Sequence, residues 1–188
     1  LCRIMQHNKD LWSRAQGSNT TIDVHNTSAE QFMQHAGQYD LIFVDPARRD
    51  SHGGKVFRLE DCTPNMVTLL PSLLQHLTPN GRIMLKLSPM LDITQALSSL
   101  TTHYSLLTTH YWQVFVVAVK NEVKEVLLLS QPTEQSIITA IDLAVPEQSF
   151  SFNPKDPKDP KDLKDPKDLK DLTSFSYLYE PNAAILKA

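Results

Sequence analysis

The chain has 188 residues, of which 41% are hydrophobic, so it can bury the core of one domain and carry an appendage. Its formal net charge of −3 gives no overall attraction to nucleic acid, so such binding would need a local basic patch. The two cysteines form no CxxC pair and the histidines are scattered, which predicts no metal site and favours a reducing, cytoplasmic setting. No run of 18 apolar residues is present, which excludes a membrane-spanning helix.

Apolar spacing and turn residues predict alternating helices and strands along the first 143 residues. In chain order we expect a helix at 1–12, a strand at 21–25, and a helix that Thr27 or Ser28 caps and that reaches about residue 35. A strand at 39–45 follows, and then a helix that Thr63 caps, Pro64 begins and Pro71 splits. After a turn at 79–81 we expect a strand at 82–87, a helix at 92–100, and strands at 104–109, 113–120, 125–129 and 137–143. This order predicts an α/β fold whose sheet is mostly parallel, buried on both faces, and completed by an antiparallel hairpin as its one reversed edge.

The carboxyl-terminal part has a different composition. Residues 155–172 read KDP KDP KDL KDP KDL KDL, a period of three that fits neither helix nor strand and indicates a linker. We therefore predict a domain at 1–148, a low-complexity linker at 149–174, and a last segment at 175–188 that either returns to the domain or begins another. Both termini are apolar and uncapped, so we expect the chain to be part of a longer one.

The most informative segment is YDLIFVDPARRD, residues 39–50. It predicts a buried strand that ends at Asp45, and open α/β sheets bind their ligands at the carboxyl ends of their strands. Pro46 cannot continue a central strand, because it lacks the N–H that the ladder needs. The segment therefore predicts a site at Asp45; the alternative is a simple turn followed by solvated arginines.

Several segments resemble the class I S-adenosylmethionine-dependent methyltransferases, whose Rossmann-like sheet also ends in an antiparallel hairpin. DPAR, residues 45–48, resembles the family's fourth motif, which reads D/N-P-P-x in many nucleic-acid methyltransferases. DPARRD followed by GGKVFRLEDCTPN, LKLSPMLD and YLYEPNAAILKA is more closely similar to the bacterial methyltransferases that carry a C-terminal THUMP-like domain. The likeness covers residues 1 to about 131 and resumes at Tyr177.

The resemblance implies a cofactor, an acceptor and roles for particular residues. S-adenosylmethionine would meet Ser28, Ala29 and Asp45, while Asp45 and Pro46 would form the catalytic motif that orients the acceptor. The five glycines form no GxG, so we expect the family's Gly-rich loop and ribose-binding acid to lie upstream of Leu1. A chain truncated at that point would lack about half of the cofactor site and would be inactive alone.

The acceptor implied by the THUMP-like association is RNA. Arg48 and Arg49 could contact its phosphates, or they could pair with the acids at 60 and 61. Lys86, Ser88 and Asp92 follow the strand RIMLKL and are the other candidates for substrate binding. A lysine within an apolar strand must be at the rim or paired, and Asp92 could be its partner or a helix cap.

Two other functions remain open from the sequence. One is a non-catalytic or truncated domain that acts as a binding module, and the other is a methyltransferase that acts on a small molecule or a protein. A Gly-rich loop upstream would favour an enzyme, and strongly salt-dependent binding would favour RNA.

Overall fold

A computed structural model describes residues 2–16, 21–47, 58–104, 111–131, 135–144, 147–153 and 183–188. Contacts divide the chain into two units, residues 1–37 and residues 38–188, and each unit is considered by itself below. Among the described residues, no helix has both the length and the apolar character that crossing a membrane requires. Most of the predicted linker and the start of the last segment, residues 154–182, lie outside the described residues.

The first unit contains two helices, α1 (Cys2–Gln16) and α2 (Ala29–Met33). The predicted strand at 21–25 is wrong, because residues 21–26 have no regular secondary structure. Strand propensity alone does not form a strand, since each strand depends on the hydrogen bonds of a neighbour.

Helix α2 begins as the capping pattern predicts. The Ser28 hydroxyl accepts a hydrogen bond from the backbone N–H of Gln31 at 3.2 Å, which makes Ser28 the N-cap. Thr27 instead donates its hydroxyl proton to Gln31 Oε1 at 2.9 Å. The sequence left two caps open, and the structure selects Ser28.

The second unit is built on one six-stranded sheet with the order β1-β2-β4-β3-β5-β6. Its strands are β1 (Tyr39–Val44), β2 (Leu77–Leu87), β3 (Tyr111–Val119), β4 (Glu122–Gln131), β5 (Ile137–Asp142) and β6 (Gln148–Phe152). Its helices are α3 (Met66–Gln75), α4 (Ile93–Tyr104) and α5 (Ala183–Lys187). The predicted strand at 104–109 is not confirmed, because Tyr104 ends α4 and residues 105–110 lie outside the described part of the chain.

The sheet is mixed rather than mostly parallel. β1 pairs with β2, and β3 with β5, in parallel, whereas the β2–β4, β3–β4 and β5–β6 pairs are antiparallel. The predicted hairpin is confirmed as β3–β4, but its reversed strand β4 lies between β2 and β3 and not at the edge. The reversed edge strand is β6, which the sequence analysis assigned to the linker from its second residue onward.

Two details of α3 differ from the prediction. The helix begins after Asn65, whose side chain accepts a hydrogen bond from the N–H of Thr68 at 3.1 Å. Thr63 does not cap the helix and instead pairs with Ala47 in an isolated bridge. Pro71 does not split the helix. Its apolar side is buried at Met66, Leu69, Leu70 and Leu73, and this burial outweighs the hydrogen bond that proline removes.

Strand β2 contains the predicted turn as a bulge. Tyr39 pairs with Leu77, but Leu41 pairs with Arg82, so three extra residues of β2 lie opposite β1. Gly81 allows this close approach, since a Cβ there would lie 2.7 Å from the carbonyl oxygen of Tyr39. The bulge sets the register of everything that follows it in β2.

The two faces of the sheet are buried to different extents. On the face that α3 covers, Ile83 and Leu85 have no exposed area, as do Val114 and Val116 in β3. On the other face, Leu41 and Phe43 of β1 are 55% and 53% exposed. The expectation that the strands are buried on both faces is therefore wrong for β1.

Helix α5 lies in the last predicted segment and packs on the sheet. It contacts β3, β4 and β5, and Ala184 is fully buried. The backbone N–H of Ala183 donates to Asn121 Oδ1 at 2.6 Å, at the tip of the β3–β4 hairpin. Residues 183–188 thus return to the sheet.

Candidate functional site

The site forms where two parallel strands end side by side. Val44 of β1 pairs with Leu85 of β2, so the next residue of each strand, Asp45 and Lys86, are also neighbours. Lys86 Nζ lies 2.8 Å from Asp45 Oδ2 and donates a hydrogen bond to it. The two side chains are 26% and 44% exposed, so the ion pair lies at the rim of the sheet. Both sequence alternatives for Lys86, a rim position and a pairing, are therefore correct.

The loop after β1 is held in place by its backbone. Pro46 is buried, and the N–H of Ala47 donates to the carbonyl oxygen of Thr63 at 2.9 Å. This bridge ties the loop to the segment that leads into α3. Asp45 therefore lies between a paired strand and a fixed loop, which limits the positions that its carboxylate can take.

The loop after β2 is closed by two polar side chains. Ser88 Oγ accepts from the N–H of Met90 at 3.2 Å, and Asp92 Oδ1 accepts from the N–H of Gln95 at 2.9 Å. Asp92 is thus the cap of α4 and not the partner of Lys86. The structure gives its carboxylate a structural role, and its predicted contact with substrate stays a prediction.

A small cleft opens beside the ion pair. Its free volume is about 10 Å³, room for about one water molecule and far below the roughly 300–1,000 Å³ of sites for drug-sized ligands. Its lining residues come from both loops, the end of β2 and the segment before α3: Pro46, Ala47, Cys62, Lys86, Leu87, Ser88 and Leu91. The cleft therefore marks a polar depression beside the ion pair and has room for no more than a water-sized group.

Cys62 lines this cleft and carries a potentially nucleophilic thiol, but the thiol is not activated. Burial raises the pKa of the Cys62 thiol to about 11, and the negative charges of Asp61 and then Glu60 contribute to the same shift. The thiol also points a hydrogen bond toward the carbonyl oxygen of Arg58, at 3.5 Å. Near neutral pH Cys62 is a protonated wall residue, because the thiolate is the nucleophilic form.

Glu60 contacts the helix behind the cleft. Its Oε1 accepts from the hydroxyl of Ser99 in α4 at 2.9 Å, and its Oε2 is buried without a hydrogen bond from the described residues. Arg48 and Arg49, the partners that the sequence suggested for this acid, lie outside the described residues. Their pairing and their contact with RNA both remain predictions.

The structure therefore brings together four of the predicted residues, Asp45, Pro46, Lys86 and Ser88. The cofactor candidates Ser28 and Ala29 cap and begin α2 in the first unit. Sequence reasoning did not assign a role to Cys62, Leu87 or Leu91, which line the cleft. Leu87 and Leu91 lie within KLSPMLD, residues 86–92, and could have been included, whereas no sequence signal distinguished Cys62.

Comparison with known proteins gives one structural likeness to report. No protein-family model matches the chain, and no curated protein matches it. A solved structure to which the chain is similar is that of the "putative methyltransferase" from Porphyromonas gingivalis W83, with 30% sequence identity and a TM-score of 0.49. The likeness covers 79% of this chain and 33% of the other, so the chain spans about a third of that protein's length.

Proposed function

We propose that this chain belongs to an S-adenosylmethionine-dependent methyltransferase whose acceptor is RNA. The observation that carries the proposal is the carboxylate of Asp45, at the end of β1 and beside a cleft, within the sequence DPAR. The resemblance of DPAR to a methyltransferase acceptor motif supplies the reaction class. The carboxyl end of a parallel strand is also where α/β sheets bind their ligands.

The site fits the reacting end of the methyl donor. Asp45 presents a partly exposed carboxylate, and a sulfonium cation is stabilised beside such a charge. When bound, S-adenosylmethionine would supply an electrophilic methyl group. From the resemblance alone, Ser28 and Ala29 would hold its adenine, and Asp45 would lie near its methionine end.

The residues of this chain would place the acceptor. One oxygen of Asp45 accepts a hydrogen bond from an acceptor N–H, which directs the nitrogen lone pair toward the methyl group. Pro46, buried and followed by the bridge from Ala47 to Thr63, keeps the carboxylate in place. In-line transfer to nitrogen needs mainly this placement.

Because the Cys62 thiol is protonated, we favour nitrogen as the atom that accepts the methyl group. A carbon acceptor would need a covalent adduct with a cysteine thiolate. A thiol with a pKa of about 11 is a poor nucleophile near neutral pH. The sequence also has no aromatic residue after Pro46 and Ala47, which disfavours stacking on a flipped adenine. We therefore propose a nitrogen acceptor other than adenine N6.

RNA would be bound mainly outside the cleft. Arg48 and Arg49 follow Asp45 after two residues and are proposed to contact phosphates, with Ser88 and Asp92 near the acceptor. The net charge of −3 means that this contact must be local. Binding should accordingly weaken with salt in proportion to a few phosphate contacts only.

The test uses the intact protein in two steps. Calorimetric titration with S-adenosylmethionine measures donor binding, and transfer of tritiated methyl groups to bulk tRNA and rRNA measures the reaction. We expect Asp45→Ala to lower transfer by about 100-fold or more, and Glu122→Gln, at an exposed acid–lysine pair in β4, to leave transfer unchanged.

The results separate the open functions. Donor binding with tritium in the RNA supports the proposal, whereas tritium that protease releases, or that stays in small molecules, points to a different acceptor. Absence of donor binding by the intact protein would leave the non-catalytic binding module as the better explanation.

A further inference from the structure

Lys86 is hard to explain by stability alone. It interrupts the apolar strand segment RIMLKL, and its partner Asp45 is 44% exposed. Ion pairs exposed to this extent contribute little to stability.

The geometry gives the ammonium group one evident task. Lys86 Nζ engages Asp45 Oδ2 at 2.8 Å, and no residue in the described part of the chain donates a hydrogen bond to Oδ1. The backbone of Lys86 is held by the ladder with β4, where Lys86 is opposite Leu127, and the ladder with β1 ends one residue earlier, at Val44 and Leu85. A carboxylate held by one oxygen from a paired strand keeps its second oxygen in a defined direction.

We propose that Lys86 is the positioning residue of the acceptor site: it holds the Asp45 carboxylate so that Oδ1 accepts the hydrogen bond of the acceptor N–H. This inference rests on the proposed function. It assigns Lys86 an action through Asp45 rather than a direct contact with a substrate phosphate. The observed distance favours this choice, because a lysine already bound to a carboxylate at 2.8 Å offers a phosphate a largely neutralised charge.

The experiment measures kcat and KM for methyl transfer to RNA with four variants of the intact protein. We expect Lys86→Met to lower kcat about 100-fold with little change in KM, because a misplaced acceptor loses its near-attack geometry. Lys86→Arg should recover most of the lost kcat, since it restores a cation opposite Oδ2. The double variant Asp45→Ala with Lys86→Met should be no slower than Asp45→Ala alone, because the two residues act as a unit.

Lys124→Met is the matched control. Lys124 pairs with Glu122 at 2.7 Å in an exposed position of β4. The variant therefore loses an ion pair of similar length that lies away from the cleft. We expect its kcat and KM to equal those of the unmodified protein. A slow Lys124→Met variant would mean that lost charge, and not lost positioning, explains the result.

Four outcomes would overturn the inference. A Lys86→Met variant with raised KM, unchanged kcat and a flatter salt dependence would place Lys86 on a substrate phosphate instead. Additive losses in the double variant would exclude a shared task. If the intact protein binds S-adenosylmethionine but transfers no methyl group, the proposed function fails and this inference fails with it, whereas normal kcat in Lys86→Met refutes the inference alone.

A measurement without turnover checks the pair itself. The side-chain ¹⁵Nζ resonance of Lys86 should shift when Asp45 is changed to Asn and should not shift when Asp92, the cap of α4, is changed to Asn. Equal shifts, or none, would contradict the pairing on which the positioning depends.

Discussion

Asp45 and Asp142 occupy similar places in the sheet but have different surroundings. β1 and β5 run in the same direction, and Asp45 follows β1 while Asp142 ends β5, so both acids lie at the same edge. Asp142 is 4% exposed, and its two oxygens accept backbone N–H groups from Asn121 at 2.8 Å and Ala144 at 3.1 Å. Asp45 is half exposed and is held through one oxygen by one lysine.

This difference separates a structural acid from a candidate functional one. A buried carboxylate whose two oxygens both accept hydrogen bonds from backbone N–H groups serves to hold its own loop in place. Here it fixes the tip of the β3–β4 hairpin, where Lys120 and Asn121 have φ values of 51° and 60°. An exposed carboxylate with an oxygen to spare adds little stability and can bind another group.

The largest expected effect is on stability at Asp142. Asp142→Ala should lower the free energy of unfolding by about 2–4 kcal/mol, because two backbone N–H groups lose their acceptor in a partly buried place. Urea denaturation of the two proteins measures the difference. A loss below that of Asp45→Ala would contradict the structural assignment of Asp142.

The next effect concerns the register that brings Lys86 to Asp45. Gly81→Ala should cost about 1–3 kcal/mol, since the added Cβ would lie 2.7 Å from the backbone oxygen of Tyr39 and 3.0 Å from Leu77 Cβ. The disturbed bulge should also shift the amide resonances of β1 and β2. Gly37→Ala is the control, because nothing lies within 4 Å of a Cβ at that glycine.

The cleft wall adds a dependence on alkaline pH. The Cys62 thiol has a pKa of about 11 in the folded chain against an ordinary value of 9.0, so the unfolded chain loses this proton first as pH rises. The stabilisation is fully present below pH 9 and is lost as pH rises from 9 to 11. Denaturation at several pH values should show this slope, which Cys62→Ala removes and Cys2→Ala retains.

Much of the fold follows from local sequence patterns. The hairpin, the strand that leads to Asp45 and a helix cap at Thr27 or Ser28 were predictable, because apolar runs and capping side chains act over a few residues. The mixed order of the sheet was not, since it depends on β4 inserting between β2 and β3. The bulge was predicted only as a turn at 79–81, because its pairing with Tyr39 is a contact between distant residues.

The candidate site was predictable only in part for the same reason. The sequence indicated Asp45 and a Lys86 that must be at the rim or paired, but the partner that it offered for the lysine was Asp92, whereas the structure chooses Asp45. The choice follows from the parallel register of β1 and β2, in which Val44 pairs with Leu85. The carboxylate of Asp92 instead accepts a hydrogen bond from the N–H of Gln95 and caps α4.

The smallest expected effect on stability is that of removing the Asp45 carboxylate, and it tests the comparison of Asp45 with Asp142 most directly. Asp45→Ala should change the free energy of unfolding by less than about 1 kcal/mol, because it removes only a rim ion pair. The same variant should lose methyl transfer about 100-fold or more. A protein that unfolds normally and reacts poorly would show that Asp45 contributes to chemistry rather than to the fold. If Asp45→Ala instead destabilises as much as Asp142→Ala, the two acids share one structural role, and the case for a site at the end of β1 is lost.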